Sequence, residues 1–460
     1  MISLTGIKEI PEERFEAYKS MAINCGRTIN RFIRTMTTLS KKPNESIAAA
    51  SADAAEAKAI YRLLNNPKLT EEVVMTSYRK DTLSRIQASE ETIILSVQDT
   101  TECNYTSHKK TKDLGDGTHK NTLGLFVHSN LALTPDGIAL GLLDQSIWAR
   151  DPEQRGKRKT NRPIEEKESN KWLQSMEASA HNFPRNIRLV HMGDREADLF
   201  EFLYKAQELN QFYVIRAVQN RITDDGQRLF DRIKQEPAAA QVQVDIPRDT
   251  RRSLKSREAT LEIRYLQMKI QVPQHLRQSY GDGEIECTIV HAYEIHPLEG
   301  VEPIEWFLIT NLAVTTVAEA MEKVRWYVHR WKIERFHYIL KSGCEIEELQ
   351  EREAERLKKL ILMYSIIAIE ILSITYLARE TPDAPCETLF EKQEWQVLYR
   401  IANRTSELPT AVPSIKEAVS YLAKLGGFLG RKGDGDPGVK VIWKGLKELQ
   451  IVIQHYKYLL

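Results

Sequence analysis

The sequence predicts an α/β fold with helical ends and an antiparallel β-rich stretch inserted in its second half. Three observations carry this reading. Between about residue 90 and residue 200, short β-branched apolar runs flank a helical pattern. From about 210 to 312, β-type runs follow one another with no long helix between them, as an antiparallel insertion requires. Before about 75 and after about 316 the apolar residues recur with helical spacing. A chain of 460 residues has room for two or three domains.

Composition narrows the class. Hydrophobic residues make up 42% and charged residues 28%, which excludes a disordered, collagen-like or disulfide-scaffold chain. Lys+Arg (65) and Asp+Glu (64) nearly cancel, so any site for a polyanion must come from local clustering. Cys25, Cys103, Cys287, Cys344 and Cys386 are scattered and form no CxxC pair. Neither a disulfide framework nor a zinc knuckle is expected, and a reducing compartment is. The opening residues carry no basic-then-apolar secretory pattern.

The first 75 residues read as helices. Arg27, Arg31 and Arg34 recur at i, i+4, i+7, which gives one helix a basic face. A second helix, around Ala48 to Leu64, carries Lys58 and Arg62 and stops at Asn65-Asn66-Pro67. Such a face is either solvated surface or a grip for phosphates. Thr92–Val97 then reads as a strand ending at Gln98-Asp99-Thr100-Thr101. Gly124–Leu133 and Ile138–Leu143 read as a hairpin about Pro135-Asp136-Gly137. A helix with Lys167, Lys171 and Trp172 follows, and the strand Ile187–Met192 closes at Gly193-Asp194-Arg195. In the insertion the strands are Phe212–Ala217, Gln241–Ile246, Ala259–Val272, Glu284–Tyr293 and Trp306–Thr310. The run Leu360–Ala378 is long and apolar enough for a bilayer span, but Glu370 near its middle favours a buried core helix. The loop Gly426–Gly438 lacks the GK[ST] ending of a phosphate loop and reads as a connector.

Two features carry chemistry. Asp99 and Asp194 each follow a short apolar strand, where open α/β sheets build their sites, although a lone aspartate there is often a turn or cap residue. The segment Tyr327–Lys341, YVHRWKIERFHYILK, is the more specific signal. At about 100° per residue, Tyr327, Arg330, Glu334 and Lys341 share a stripe roughly 60° wide, and His337 lies beside it. Trp326, Trp331 and Phe336 flank the stripe, which is unlike an ordinary solvated face. Asp99, Asp194 and Glu334 form an oxygen-only set suited to Mg²⁺ or Mn²⁺ rather than Zn²⁺. Two such ions can activate the attacking oxygen and stabilise the leaving oxygen of a phosphodiester.

At these residues the sequence resembles the DDE cut-and-paste transposases of the insertion-sequence-four family, the bacterial composite-transposon type with a Tyr-Arg-Glu-Lys helix. The pieces are Val97–Thr101 (VQDTT), Glu166–Trp172 (EKESNKW), Gly193–Asp198 (GDREAD), Trp306–Asn311 (WFLITN) and the Tyr327–Lys341 helix. Ala55–Pro67 and Gly426–Gly438 are similar to family segments as well, so the resemblance spans nearly the whole chain.

The resemblance implies an RNase H-like catalytic core over 76–378, interrupted by the β-rich insertion. A transposon-end-binding helical domain would occupy 1–75, and a dimerisation region 379–460. It implies that Asp99, Asp194 and Glu334 are the catalytic metal ligands for two Mg²⁺ ions, with Mn²⁺ as a substitute. Tyr327, Arg330 and Lys341 would contact phosphates near the cleaved end, Trp306 would stack on a flipped base and Trp331 would support that geometry. Arg216 would touch DNA, as would Arg27, Arg31, Arg34 and Arg62 of the end-binding domain. The basic runs at 155–162 and 251–257 would lie along DNA. The implied partners are double-stranded DNA, both inverted ends and target, and a second copy of the chain, with no membrane and no nucleotide cofactor. The implied location is the bacterial cytoplasm, at the nucleoid. The reaction would be end nicking, hairpin formation and opening, then strand transfer. A catalytically silent DNA-binding relative and a stand-alone RNase H-like nuclease are the alternatives.

Overall fold

The computed structural model describes residues 18–151, 162–246, 257–431 and 434–456. The basic runs at 155–162 and 251–257 fall outside the described residues except for Arg162 and Arg257, and Arg257 pairs with Glu294.

The described residues begin with four α-helices: α1 (Gly26–Lys41), α2 (Ile47–Ala50), α3 (Ala54–Leu64) and α4 (Glu71–Ala88). The single helix expected around Ala48–Leu64 is broken because Asp53 caps α3, accepting a hydrogen bond from the Glu56 N–H at 2.8 Å. α1 buries Ile29, Phe32, Ile33, Met36 and Leu39, which leaves Arg27, Arg31 and Arg34 on its exposed face. The core then runs β1 (Ile93–Asn104), β2 (Gly115–Asp116), β3 (Leu123–Leu133), β4 (Ala139–Trp148), α5 (Asn170–Ala180), β5 (Arg188–Gly193), α6 (Phe200–Glu208) and β6 (Phe212–Arg216). Next come α7 (Leu229–Lys234), β7 (Ala240–Ile246), β8 (Arg257–Gln271), α8 (Arg277–Tyr280), β9 (Glu284–Glu294) and β10 (Glu305–Thr310). The chain closes with α9 (Val317–His329), α10 (Trp331–Tyr338), α11 (Ala354–Glu380), α12 (Lys392–Asn403), α13 (Ile415–Leu425) and α14 (Val439–Tyr456).

Among the described residues the ten strands form one sheet in the order β2-β3-β1-β5-β6-β10-β9-β8-β7, with β4 paired to β3. β1 is antiparallel to β3 and parallel to β5, and β5 is parallel to β6. One face packs on α10 and α11 through Leu95, Val97, Val127, Leu131 and Met192. The other packs on α5 and α6 through Trp172, Met176, Phe202 and Leu203. The insertion is thus not a separate sheet: β10 hydrogen-bonds to β6, so β7–β10 extend the core ladder. β6, read from sequence as part of the insertion, belongs instead to the parallel core.

Two boundaries drawn from sequence fall inside helices. Residue 75 lies within α4, whose Thr82 packs on Gly141 of β4, and residue 378 lies within α11. α11 is buried on every side, including Glu370, and Ser365 and Thr375 return their hydroxyls to the helix carbonyls of Ile361 and Ile371 at 2.8 Å. Among the described residues this is the one helix long and apolar enough to cross a membrane, and 89% of its apolar window is buried within the protein. It is a core helix.

Candidate active site

β1 does not stop at Val97. Its antiparallel ladder with β3 continues to Asn104 opposite Gly124, while its parallel pairing with β5 ends at Val97 opposite Met192. Asp99 is therefore mid-strand, just beyond the end of the parallel pair. Asp99 lies two residues past Val97 on β1, and Asp194, just after the last residue of β5, lies two past Met192. The parallel register thus brings the two aspartates to the ends of neighbouring strands, where the Asp99 charge acts on Asp194 and the Arg330 charge acts on both. Asp194 also caps the turn Arg195–Ala197, accepting from the Glu196 N–H at 2.9 Å, so the structural role read from sequence holds alongside its place in the site.

The two carboxyls are pushed in opposite directions. Burial raises Asp194, the Asp99 charge raises it further, and together they outweigh the Glu196 N–H and Arg330. Burial also acts on Asp99, but His337, Arg330 and the Thr100 N–H outweigh it and hold the carboxyl below its usual range. His337 Nδ1 lies 3.6 Å from Asp99 Oδ2. Sequence spacing placed His337 beside the Tyr-Arg-Glu-Lys stripe without giving it a role; its position one turn after Glu334 was the available signal.

An elevated carboxyl costs stability once ionised. For Asp194 that cost is present above its folded pKa and disappears as pH falls below the ordinary carboxylate range. Asp194→Asn is accordingly expected to raise the melting temperature at pH 7 in EDTA, by on the order of 1–2 °C. The gain vanishes near pH 3.5, and a scan at the two pH values checks it.

The Tyr327–Lys341 segment is not one straight helix. α9 ends at His329, Arg330 closes tight turns with Tyr327 and Ile333 (N···O 3.1 and 3.2 Å), and α10 restarts at Trp331. A π-helical turn, Ile339–Gly343, then ends α10. Tyr327, Arg330 and Glu334 stay together. Arg330 Nη2 bonds Glu334 Oε1 at 2.7 Å and its guanidinium lies over the Tyr327 ring at 5.8 Å. Lys341 is carried away by the π turn: it donates to the Glu102 carbonyl at 2.8 Å and pairs with Glu347 at 3.0 Å, three residues along β1 from Asp99.

Arg216, at the end of β6, joins the cluster. It donates to the Glu305 carbonyl at 3.1 Å and hydrogen-bonds Tyr327. Burial lowers the Arg216 pKa against the Tyr327 charge, and burial raises that of Tyr327 against the Arg330 and Arg216 charges. Trp306 is buried on β10 with its ring edge-on to Tyr327 (5.4 Å) and to Trp331 (5.9 Å). Arg27, Arg31, Arg34 and Arg62 lie on the exposed faces of α1 and α3, outside this pocket.

Among the described residues no group of three or more His, Cys, Asp or Glu side chains is placed to hold a metal ion. Asp99 and Asp194 are level, but the Glu334 carboxylate is drawn to Arg330. The donor chemistry nonetheless fits a hard divalent cation: two adjacent carboxylates, one of them raised by the charge of the other, form an acidic pair that such an ion neutralises.

Residues 22–69 match the transposase DNA-binding family, and residues 366–459 match the Tn5 transposase dimerisation domain. A solved structure, a piggyBac transposase synaptic complex with hairpin DNA, aligns over 93% of this chain and 80% of its own at 10% identity. Its TM-score of 0.35 is too low to bear on the fold. The first match spans α1–α3 and their exposed arginines, and the second begins within α11 and takes in α12–α14. The chain carries a transposase-type DNA-binding domain near one end and a transposase dimerisation domain at the other, and the two together support a transposase.

Proposed function

We propose that the chain is a cut-and-paste DNA transposase that acts on paired transposon ends as a homodimer, through an RNase H-like core. What supports that core is the order β4-β3-β1-β5-β6, antiparallel over its first three strands and parallel over its last three. The observation that carries the reading is the Asp99–Asp194 pair facing Arg330 and Glu334 of the kinked α9–α10 segment. Asp99 and Asp194, joined by Glu334, are the residues that would hold Mg²⁺ or Mn²⁺. Bound there, such ions supply activation of the attacking oxygen and stabilisation of the leaving oxygen of a phosphodiester.

The protein's own side chains do the positioning. Arg330, Arg216 and the Tyr327 hydroxyl converge where the phosphates of a DNA end would lie, and a guanidinium fork suits a phosphate. A phosphate at Arg330 takes the place of Glu334 and releases its carboxylate toward the aspartates. His337 keeps Asp99 ionised. Trp306, with Trp331 beside it, would stack on a base flipped from the duplex once uncovered from Tyr327 and Trp331, at an unstacking cost of about a few kcal/mol. Cleavage, hairpin formation and opening, and strand transfer are all in-line displacements at phosphorus, so one site serves each of them.

A labelled transposon end incubated with plasmid and Mg²⁺ tests the reading. Joined product is expected; shortened ends without joining would mean a nuclease, and intact bound ends a silent DNA-binding protein. Trp306→Ala is expected to slow hairpin formation at least about tenfold, the scale of a lost stacking contact. Hairpins formed at the wild-type rate would remove that role from Trp306.

A further inference from the structure

The reverse face of the sheet, behind the two aspartates, holds a buried polar arrangement that the proposed chemistry leaves unused. Strand alternation turns Gln98 and Thr100 away from Asp99 toward α5. There β3 places His128 directly opposite Thr100. The His128 ring is wholly buried, with Nδ1 2.9 Å from the Thr100 hydroxyl and Nε2 3.1 Å from Gln98 Oε1. An amide oxygen can only accept, so Nε2 carries the proton and Nδ1 accepts from Thr100. Burial, reinforced by the Lys171 charge, lowers the imidazole to about 3. It remains a neutral two-ended clamp on the residues either side of Asp99.

The clamp is tied to the second aspartate by Trp172 of α5. The indole meets His128 edge-on, with ring centroids 4.8 Å apart. It also underlies Gly193, the residue before Asp194: a Cβ added there would lie 3.0 Å from the Trp172 ring and 2.4 Å from the Ala197 methyl. One indole thus touches the clamp behind Asp99 and the backbone behind Asp194. Among the described residues Gln98 Nε2 and Trp172 Nε1 are buried with no hydrogen-bond partner, an arrangement that hydrogen-bond satisfaction alone does not account for.

We propose that His128 and Trp172 form a positioning unit that sets the separation of the Asp99 and Asp194 carboxylates, and with it their affinity for a divalent cation. The proposal rests on the reading of these aspartates as cation ligands. Neither His128 nor Trp172 touches the reacting atoms.

The test is the Mn²⁺ dependence of the melting temperature of the full chain without DNA, for wild type, Thr100→Val, His128→Phe and Trp172→Phe. Thr100→Val removes one hydroxyl and nothing else from the clamp, so it remains informative where a ring substitution disturbs folding. Wild type is expected to be stabilised by Mn²⁺, and the variants to need at least about tenfold more Mn²⁺ for half the effect, as losses behind metal ligands typically do. The melting temperature of Thr100→Val in EDTA, and the binding of every variant to an end duplex in EDTA, stay near wild type. A wild type with no Mn²⁺ response would overturn the ligand reading itself. A responsive wild type with Thr100→Val and Trp172→Phe midpoints within twofold of it would overturn only the positioning role.

Discussion

Glu334→Ala is expected to lower cleavage of a transposon end by on the order of 10³-fold or more while leaving end binding within about twofold. The cleavage loss follows from in-line displacement at phosphorus, where removing one carboxylate of a ligand set costs most of the catalysis. Binding survives because the exposed arginines of α1 and α3, in the region matching the transposase DNA-binding family, lie apart from α10. Glu334 is 35% exposed and its partner Arg330 remains held by Tyr327, so the fold loses little when the side chain goes. Gel-shift and nicking assays on one labelled duplex read both quantities. Equal loss of binding and cleavage would show that Glu334 acts through the structure of the helix and not through chemistry.

Arg221→Ala is expected to be the most damaging single change to stability, at about 3–5 kcal/mol. The Asp198 side chain is fully enclosed and that of Arg221 is 6% exposed, so the ion pair between them is cut off from water. Asp198 Oδ2 also accepts from the Val218 and Gln219 N–H groups at 2.6 and 2.7 Å, and Arg221 donates to the Asp198 carbonyl at 3.0 Å. The pair fastens the segment after β5, which bears Asp194, to the segment after β6, which follows Arg216. Removing the cation leaves a buried carboxylate with only two amides. Arg221→Ala combined with Asp198→Asn should recover part of the loss, because the second change removes the stranded charge. Urea denaturation of the three variants measures it. Additive losses would mean that the two groups are not coupled.

Much of the site was legible from residue order. The stripe of Tyr327, Arg330 and Glu334 follows from helical spacing, and the break between α9 and α10 at Arg330 does not separate the three side chains. Lys341 shows where that logic fails. It lies within the π turn, whose Gly343 is pressed against Trp443 of α14, so a distant helix shapes the turn that carries it. Asp99 shows the same limit in a strand. The polar run Gln98–Thr101 reads as a turn, yet β3 offers it a ladder and the strand continues through it. His128 was invisible in sequence, since a single histidine within an apolar strand is indistinguishable from an ordinary core residue.

Local pattern by itself determined the helical ends, the hairpin about Gly137, the apolar face of α1 opposite its arginines and the burial of α11, because each depends on periodicity and turn chemistry within a few residues. Only the tertiary structure decided that β6 belongs with β5, that β7–β10 extend one sheet, and that Asp99 and Asp194 stand level with His128 and Trp172 behind them. These are matters of strand register and of packing between segments about a hundred residues apart. Register is a property of two strands together, and neither strand encodes it alone.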